Sequence, residues 1–279
     1  MSDRKSSRTA LRSAYLRAAH QLLDAEPRIL EEPVVLSLLG PSALQQINDT
    51  AERYRTPGAR ALRAHLVLRS RFAEDRLAGA IHRGITQYVI LGAGFDTFAL
   101  RQPAWALSLK ILEIDHSGTQ DVKRSMLAAA GLAMPENAGF AEIDFEHESL
   151  RDGLLRYHIS LDEPTFFSWL GVTMYLKGDA IDSTLWSVAA FPAGSEIVLS
   201  FAQRSEASES PSPLAKRVKS LGEPFVSYFK PDVLEAKLRG AGFSNVEFLS
   251  PREAEALYFR QRPEDLPAPR RTTIVSAVL

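Results

Sequence analysis

The sequence predicts an α/β fold whose mainly parallel sheet is covered by helices on both faces. Three observations predict it. Beyond residue 84, short runs rich in strand formers alternate with segments long enough for helices. The first of these runs ends in a glycine turn, Gly92–Ala93–Gly94. The roughly eighty residues before it carry helical periodicity and no clear strand.

Taken in order, residues 9–24 form an amphipathic helix, with Leu11, Ala14, Tyr15, Ala18, Ala19 and Leu22 at helical spacing and Pro27 as its stop. A short apolar piece at 34–39 ends at Gly40 and Pro41, and a third helix runs from Pro57 to about His82. Strands are predicted at 88–91, 107–114, 140–143, 165–170 and 197–201. A helix is expected immediately after the glycine turn, and another at 122–130. Residues 204–213, rich in Ser, Glu and Pro, read as a loop; 232–240 is a helix with Pro231 at its start. Two last strands are placed at 246–249 and 273–278, joined by a proline-interrupted, partly irregular connection.

With 279 residues the chain is near the size at which one hydrophobic core stops growing. The expected organisation is an N-terminal helical cap or arm over 1–83 and a core over 84–279, with a lid-like excursion around 204–230. A net charge of −1 gives no footprint for nucleic acid and no polybasic membrane patch. The absence of cysteine removes disulfides, thiolate metal sites and a cysteine nucleophile. It fits a cytoplasmic protein. No apolar run reaches the roughly 18 residues that span a bilayer. The basic, serine-rich start reads as an ordered arm rather than a cleaved leader. The expected partner is a small molecule, not nucleic acid or membrane, and the expected state a monomer or homodimer.

The chemistry concentrates at the glycine turn. Glycine suits a sharp turn that a ligand must approach without a Cβ in the way. A dinucleotide fingerprint needs a third glycine at position 97, where Thr97 stands. What remains fits a nucleoside or an amino-acid moiety better than a pyrophosphate. Asp115 follows Gly94 by 21 residues (115 − 94), near the spacing at which an acid accepts from a ribose hydroxyl, and Glu113 competes with it from the same strand. Asp144 and Phe145 end the next strand, where a carboxylate can accept from an adenine amino group. Asp144, Glu146, His147 and Glu148 also read as the acidic first turn of a helix. With no second histidine at ligand spacing, no metal is expected.

Several segments carry a family resemblance. Ser7–Arg8–Thr9–Ala10, Arg69–Ser70–Arg71–Phe72–Ala73–Glu74–Asp75, the run from Val89 through Gly92–Ala93–Gly94–Phe95–Asp96–Thr97, Glu113–Ile114–Asp115, Gly171–Val172–Thr173–Met174–Tyr175–Leu176 and Gly222–Glu223–Pro224 occur in this order. Together they resemble the leucine carboxyl methyltransferase family, including its bacterial branch of tetracenomycin-type polyketide O-methyltransferases. The resemblance implies a Rossmann-like class I methyltransferase sheet, mostly parallel with a C-terminal antiparallel strand, and an N-terminal helical cap. It implies S-adenosyl-L-methionine as cofactor. Arg69 then pairs with the methionine carboxylate, with Arg71 as the alternative, and Arg8 helps to close over it. Gly92, Ala93, Gly94 and Asp96 line the methionine portion, Asp115 the ribose, and Asp144 with Phe145 the adenine. Leu170 stands where many members carry a glutamate, so a cofactor or substrate contact is replaced.

The implied activity is O-methylation of a carboxylate or phenolic hydroxyl of a small molecule, in polyketide-type secondary metabolism. A carboxylate acceptor needs no base; a hydroxyl does. His116 and His147 are candidates for that role because they follow cofactor-strand ends, and Tyr175 is a candidate for orienting the acceptor. Trp169, Phe225, Tyr228 and Phe229 are candidates for an aromatic wall, against ordinary core packing. Two other readings stay open: an NAD-dependent oxidoreductase, which shares the strand, glycines and acid, and a non-catalytic protein that binds S-adenosylmethionine.

Overall fold

The computed structural model describes residues 6–145, 148–203 and 213–279. Met1 to Lys5, Glu146, His147 and residues 204–212 lie outside them, and with them the candidate base His147 and much of the expected excursion.

Five helices precede the sheet: α1 (Arg8–Leu23), α2 (Val34–Leu39), α3 (Pro41–Asp49), α4 (Ala51–Arg55) and α5 (Pro57–Ile81). Three were expected; the polar stretch from Pro41 to Arg55 hid two short ones. Ser7 starts α1 by accepting from the Ala10 N–H at 3.0 Å, and Thr56 with Pro57 starts α5.

The sheet follows as β1 (Gln87–Leu91), β2 (Lys110–Asp115), β3 (Ala138–Glu142), β4 (Thr165–Trp169), β5 (Glu196–Ser200), β6 (Asn245–Phe248) and β7 (Ile274–Val278). Its order is β3-β2-β1-β4-β5-β7-β6. β1 to β5 are parallel, and β7 runs antiparallel to both β5 and β6. This matches the predicted parallel sheet with a reversed strand near its C-terminal edge. All residues of β1, β4 and β5 are buried, as expected of strands covered on both faces.

The alternation of side chains splits the core. Tyr88, Ile90, Phe166 and Val198 face α5, which buries Val67, Leu68, Phe72 and Leu77 against them. Val89, Leu91, Phe167 and Leu199 face the other way. They meet α7 (Leu150–Arg156), α8 (Gly178–Ala189) and α10 (Pro231–Ala241), after which Gly242 closes α10 in the left-handed conformation. A third cluster joins α1 to α3 with Phe95 and with Leu127 of α6 (Ser117–Ala129). The remaining helices are α9 (Pro213–Ser220) and α11 (Pro251–Ala254), the latter opened by a reciprocal Ser250–Glu253 cap.

One local expectation fails. No α-helix follows the glycine turn; two single-turn 3₁₀ helices, Phe98–Leu100 and Ala104–Ala106, take its place. The face that such a helix would cover is already filled by α5, which arrives from upstream in the chain. The strand predicted from 107 starts at Lys110 for a related reason: Leu107 is exposed and ends the second of those turns. Among the described residues no helix is long and apolar enough to cross a membrane.

Candidate functional site

In the strand order, β1 lies between β2 and β4, so consecutive connections leave the sheet in opposite directions there. The crevice beyond the C-terminal ends of β1 and β4 is where open α/β sheets bind ligands. The glycine turn lies at that point. Gly92 and Gly94 hold φ of +68° and +55°. A Cβ on Gly92 would collide with the Val172 side chain, and one on Gly94 would press on Ala10 of α1. The turn is fixed from below: the Ala93 N–H donates to the Ile114 carbonyl at 2.8 Å, and the Asp96 carboxylate accepts from the Phe98 N–H at 2.7 Å.

Asp115 ends β2 beside this turn. One carboxylate oxygen accepts from the Gly94 N–H at 2.6 Å and the other from the His116 N–H at 2.7 Å. Burial raises its pKa above the usual carboxylate range although both hydrogen bonds pull the other way. Glu113, its competitor, is occupied elsewhere. It is fully buried and paired with Lys123, whose ammonium also donates to the Asp96 carbonyl at 2.6 Å. Glu113 therefore braces the turn from behind. His116 caps α6, its Nδ1 accepting from the Gly118 N–H at 3.2 Å.

Arg69 reaches the crevice from α5. Its guanidinium lies against the backbone of Gly171, where a Cβ would run into it; Gly171 itself holds φ of +78°. Arg69 makes no side-chain hydrogen bond or ion pair with a described residue. Burial, then the Arg17 charge, lower its pKa to about 10, with Tyr175 and Asp96 opposing. It is still a cation at neutral pH. Arg17 is already engaged by Glu32 at 3.0 Å and by the Phe95 carbonyl. Arg71, the alternative to Arg69, points outward to Asp75 at 2.8 Å.

The roof of the crevice is the start of α1. The Glu223 carboxylate accepts from the Arg8 N–H at 2.7 Å, the Thr9 N–H at 3.3 Å, the Ser7 hydroxyl at 3.1 Å and the Thr9 hydroxyl. A carboxylate there satisfies orphan N–H groups and favours the positive end of the helix. The Arg8 side chain is exposed. Glu223→Ala is expected to speed amide exchange across residues 7–10 about tenfold with distal peptides unchanged, the scale of a lost cap. Hydrogen-exchange mass spectrometry reads this directly.

Tyr175 joins the roof to the floor. Its hydroxyl is hydrogen-bonded to Thr9, and its ring meets Phe225 edge-on with centroids 5.2 Å apart. Phe225 in turn contacts Tyr228 at 6.2 Å. Trp169 is wholly buried, with Phe145 at 6.4 Å, so it is core rather than exposed wall. Phe229 packs with the α8 and α10 side of the core. Leu170 packs toward the α5 face. Asp144 lies just past β3.

Beside this crevice opens a cavity of about 1050 Å³. Its walls come from α5 (Pro57 to His65), Met174, Phe201 to Gln203, Phe225, Tyr228 and the segment from Glu255 to Thr273. None of the glycine-turn residues lines it. It touches the crevice at two places in the chain: Met174 precedes Tyr175, and His65 lies one helical turn before Arg69. Sequence reasoning missed His65. Its signal was the four-residue spacing from Arg69, which puts both on one helical face.

Burial, and then the Arg69 charge, hold the His65 imidazole at a pKa of about 3. An unfolded histidine titrates near 6.5. Between these values the unfolded chain binds the extra proton, so stability falls as pH drops below about 6.5. Between pH 7 and 5 the wild type is expected to lose up to about 2 kcal/mol more than His65→Gln. Urea midpoints at the two pH values test this; equal losses sink it.

The seven-stranded sheet with its reversed strand, carrying a glycine turn at the crevice, is the Rossmann-like fold of the class I methyltransferase type. The family model for leucine carboxyl methyltransferase matches residues 10–189, and the chain belongs to that family. It is 31% identical to a protein of Bacillus subtilis named putative S-adenosyl-L-methionine-dependent methyltransferase YktD, over 96% of both chains. A relative from a Parafrankia species with the same kind of name is 29% identical over 69% of this chain and 62% of its own length. Among solved structures, a putative methyltransferase from Thermobifida fusca aligns over 99% of this chain and 95% of its own, with a TM-score of 0.58 at 17% identity. A DUF574-family protein from Streptomyces avermitilis gives 0.57 at 17% identity, over 98% and 97%. These two likenesses concern the fold.

Proposed function

We propose that the chain is a cytoplasmic S-adenosylmethionine-dependent O-methyltransferase acting on a carboxylate or phenolic hydroxyl of a small molecule, in polyketide-type natural-product metabolism. The observation that carries the reading is Arg69, a desolvated cation without a partner among the described residues, beside a glycine turn at the sheet's switch point. A ligand that is a nucleoside at one end and a free amino acid at the other fits that pair of features.

Arg69 would hold the methionine carboxylate, a charge its guanidinium suits. Gly92, Ala93, Gly94 and Asp96 flank the amino-acid portion. Asp115 keeps lone pairs beyond its two backbone bonds and accepts from the ribose hydroxyls. Asp144 and Phe145 take the adenine, Leu170 gives an apolar contact, and Arg8 stands at the mouth. The bound donor supplies an already activated methyl group. The chain's own work is alignment and exclusion of water. The described part of residues 1–83 serves as the cap, the described part of the segment around 204–230 as a lid, and Tyr175 orients the acceptor where crevice and cavity meet. The cavity volume suits a multi-ring acceptor, since it is at the upper end of ordinary ligand sites of roughly 300–1000 Å³.

Calorimetric titration with S-adenosylmethionine and with NAD separates this reading from an oxidoreductase. Binding of the first and not the second is expected; the reverse overturns the assignment. Labelled-methyl transfer to a panel of phenols and carboxylic acids then tests catalysis.

A further inference from the structure

Thr97 stands where a dinucleotide fingerprint carries its third glycine, and it is wholly buried. In that fingerprint the glycine lets a helix pack closely on the strand. No α-helix follows here, and the Thr97 side chain is tied elsewhere. Its hydroxyl donates to the Glu32 carboxylate at 2.6 Å and accepts from Arg101 Nε at 3.2 Å. Arg101 is itself forked onto Glu74 of α5, one arm at 2.9 Å. Glu32 is buried in the connection between α1 and α2, where its N–H donates to the Gln21 side chain at 3.0 Å. Its carboxylate also pairs with Arg17 of α1, which donates in turn to the Phe95 carbonyl.

Each residue of the turn from Gly94 to Thr97 thus has its own anchor. Asp115 takes the Gly94 N–H and Lys123 the Asp96 carbonyl, both from within the sheet domain. The anchors of Phe95 and Thr97 come instead from the helical segment that precedes the sheet, and the Glu32 carboxylate joins the two. The turn needs this help, because glycines at positive φ have many other conformations open to them. A cradle that is not held in shape must be ordered when its ligand binds, and that cost is subtracted from affinity. We propose that Thr97 and Glu32 are positioning residues for the methyl donor. Through them the N-terminal cap fixes the glycine turn in its binding shape, so that cap and donor site act as one unit. The inference rests on the S-adenosylmethionine reading.

A second bond of the same chemistry separates positioning from plain stability. Ser276 of β7 donates to the Glu196 carboxylate at 2.6 Å, and both residues are buried. Glu196 is the first residue of β5, at the end of the parallel strands opposite to the crevice. Removing either hydroxyl takes one donor from a buried carboxylate that keeps an arginine partner, so both changes lower stability. Only the Thr97 hydroxyl belongs to the glycine turn.

The test titrates S-adenosylhomocysteine calorimetrically into the full chain and its variants, each well below its melting temperature. Thr97→Val, which keeps the volume and loses the hydroxyl, is expected to weaken binding about tenfold. Thr97→Ser restores the hydroxyl and should bind within about threefold of the wild type. Ser276→Ala should stay within about twofold, even where it melts as early as Thr97→Val. Glu32→Gln keeps an oxygen for Thr97 but gives up the charge paired with Arg17, and a loss of about threefold is expected. Unchanged affinity in Thr97→Val or, should that variant not fold, in Glu32→Gln overturns the proposal. So does a serine that fails to rescue, or an equal loss in Ser276→Ala. A wild type that binds no S-adenosylhomocysteine refutes the donor reading instead, and so the two failures are distinguishable.

Discussion

Replacing Arg69 by methionine is expected to weaken binding of S-adenosylmethionine by about 100-fold or more while leaving the fold intact. Truncating one partner of a buried, hydrogen-bonded charge pair costs about 2–5 kcal/mol, and 2.8 kcal/mol is about 100-fold. The loss arises on ligand binding, because the guanidinium has no partner among the described residues for the variant to break. Methionine fills the apolar length of the arginine stem, and removing a desolvated, unpaired charge does not lower stability. The melting temperature without ligand should hold or rise. Calorimetric affinity and a thermal melt on the same preparation check both halves. Unchanged affinity would remove Arg69 from the site; a collapsed melting temperature would make it a structural arginine.

The second large effect is on stability. Arg63, on α5, is 1% exposed and grips the Asp24 carboxylate with two bonds of 2.6 Å; a third goes to the Tyr54 carbonyl at 2.8 Å. His20 contacts the same carboxylate at 2.8 Å. Burial alone would raise the Asp24 pKa, but the hydrogen bonds from His20 and Arg63 outweigh it and hold the group below its ordinary value. A carboxyl lowered on folding contributes stability above its unfolded value of about 3.9, and loses it as pH falls through the folded value. Arg63→Met leaves the carboxylate buried without its main cation and is expected to destabilise by about 3–5 kcal/mol at pH 7. The deficit should shrink toward pH 4, where the stranded carboxyl protonates. Urea unfolding at both pH values measures this. A deficit that does not depend on pH would mean that lost packing, not charge, is responsible.

Much of the architecture was legible because it is written locally. Runs of strand formers bounded by glycine and proline gave seven strands, and each one formed within a few residues of its expected place. The glycine turn was legible because positive φ at Gly92 and Gly94 and the close approach of Val172 and Ala10 leave no room for another residue. The helix expected after that turn does not form, for a reason no local signal carries: α5, whose middle residue Arg69 lies 24 residues before Ala93 (93 − 69), already covers that face. Glu113 and Asp115 were indistinguishable as letters on one strand. Lys123, placed by α6, takes Glu113 and leaves Asp115 at the crevice.

The class of fold and the position of the glycine turn were readable along the chain, because both depend on backbone geometry and short local motifs. Tertiary structure decided what meets them. Glu223 caps α1 from 216 residues away in sequence, and the cavity beside the turn draws its wall from segments as distant as Pro57 and Thr273. His65 was one more polar letter on a long helix until α5 packed across the sheet. That packing is driven by burial of the helix's apolar face, and it left His65 facing the cavity while turning Arg69 toward Gly171 at the crevice.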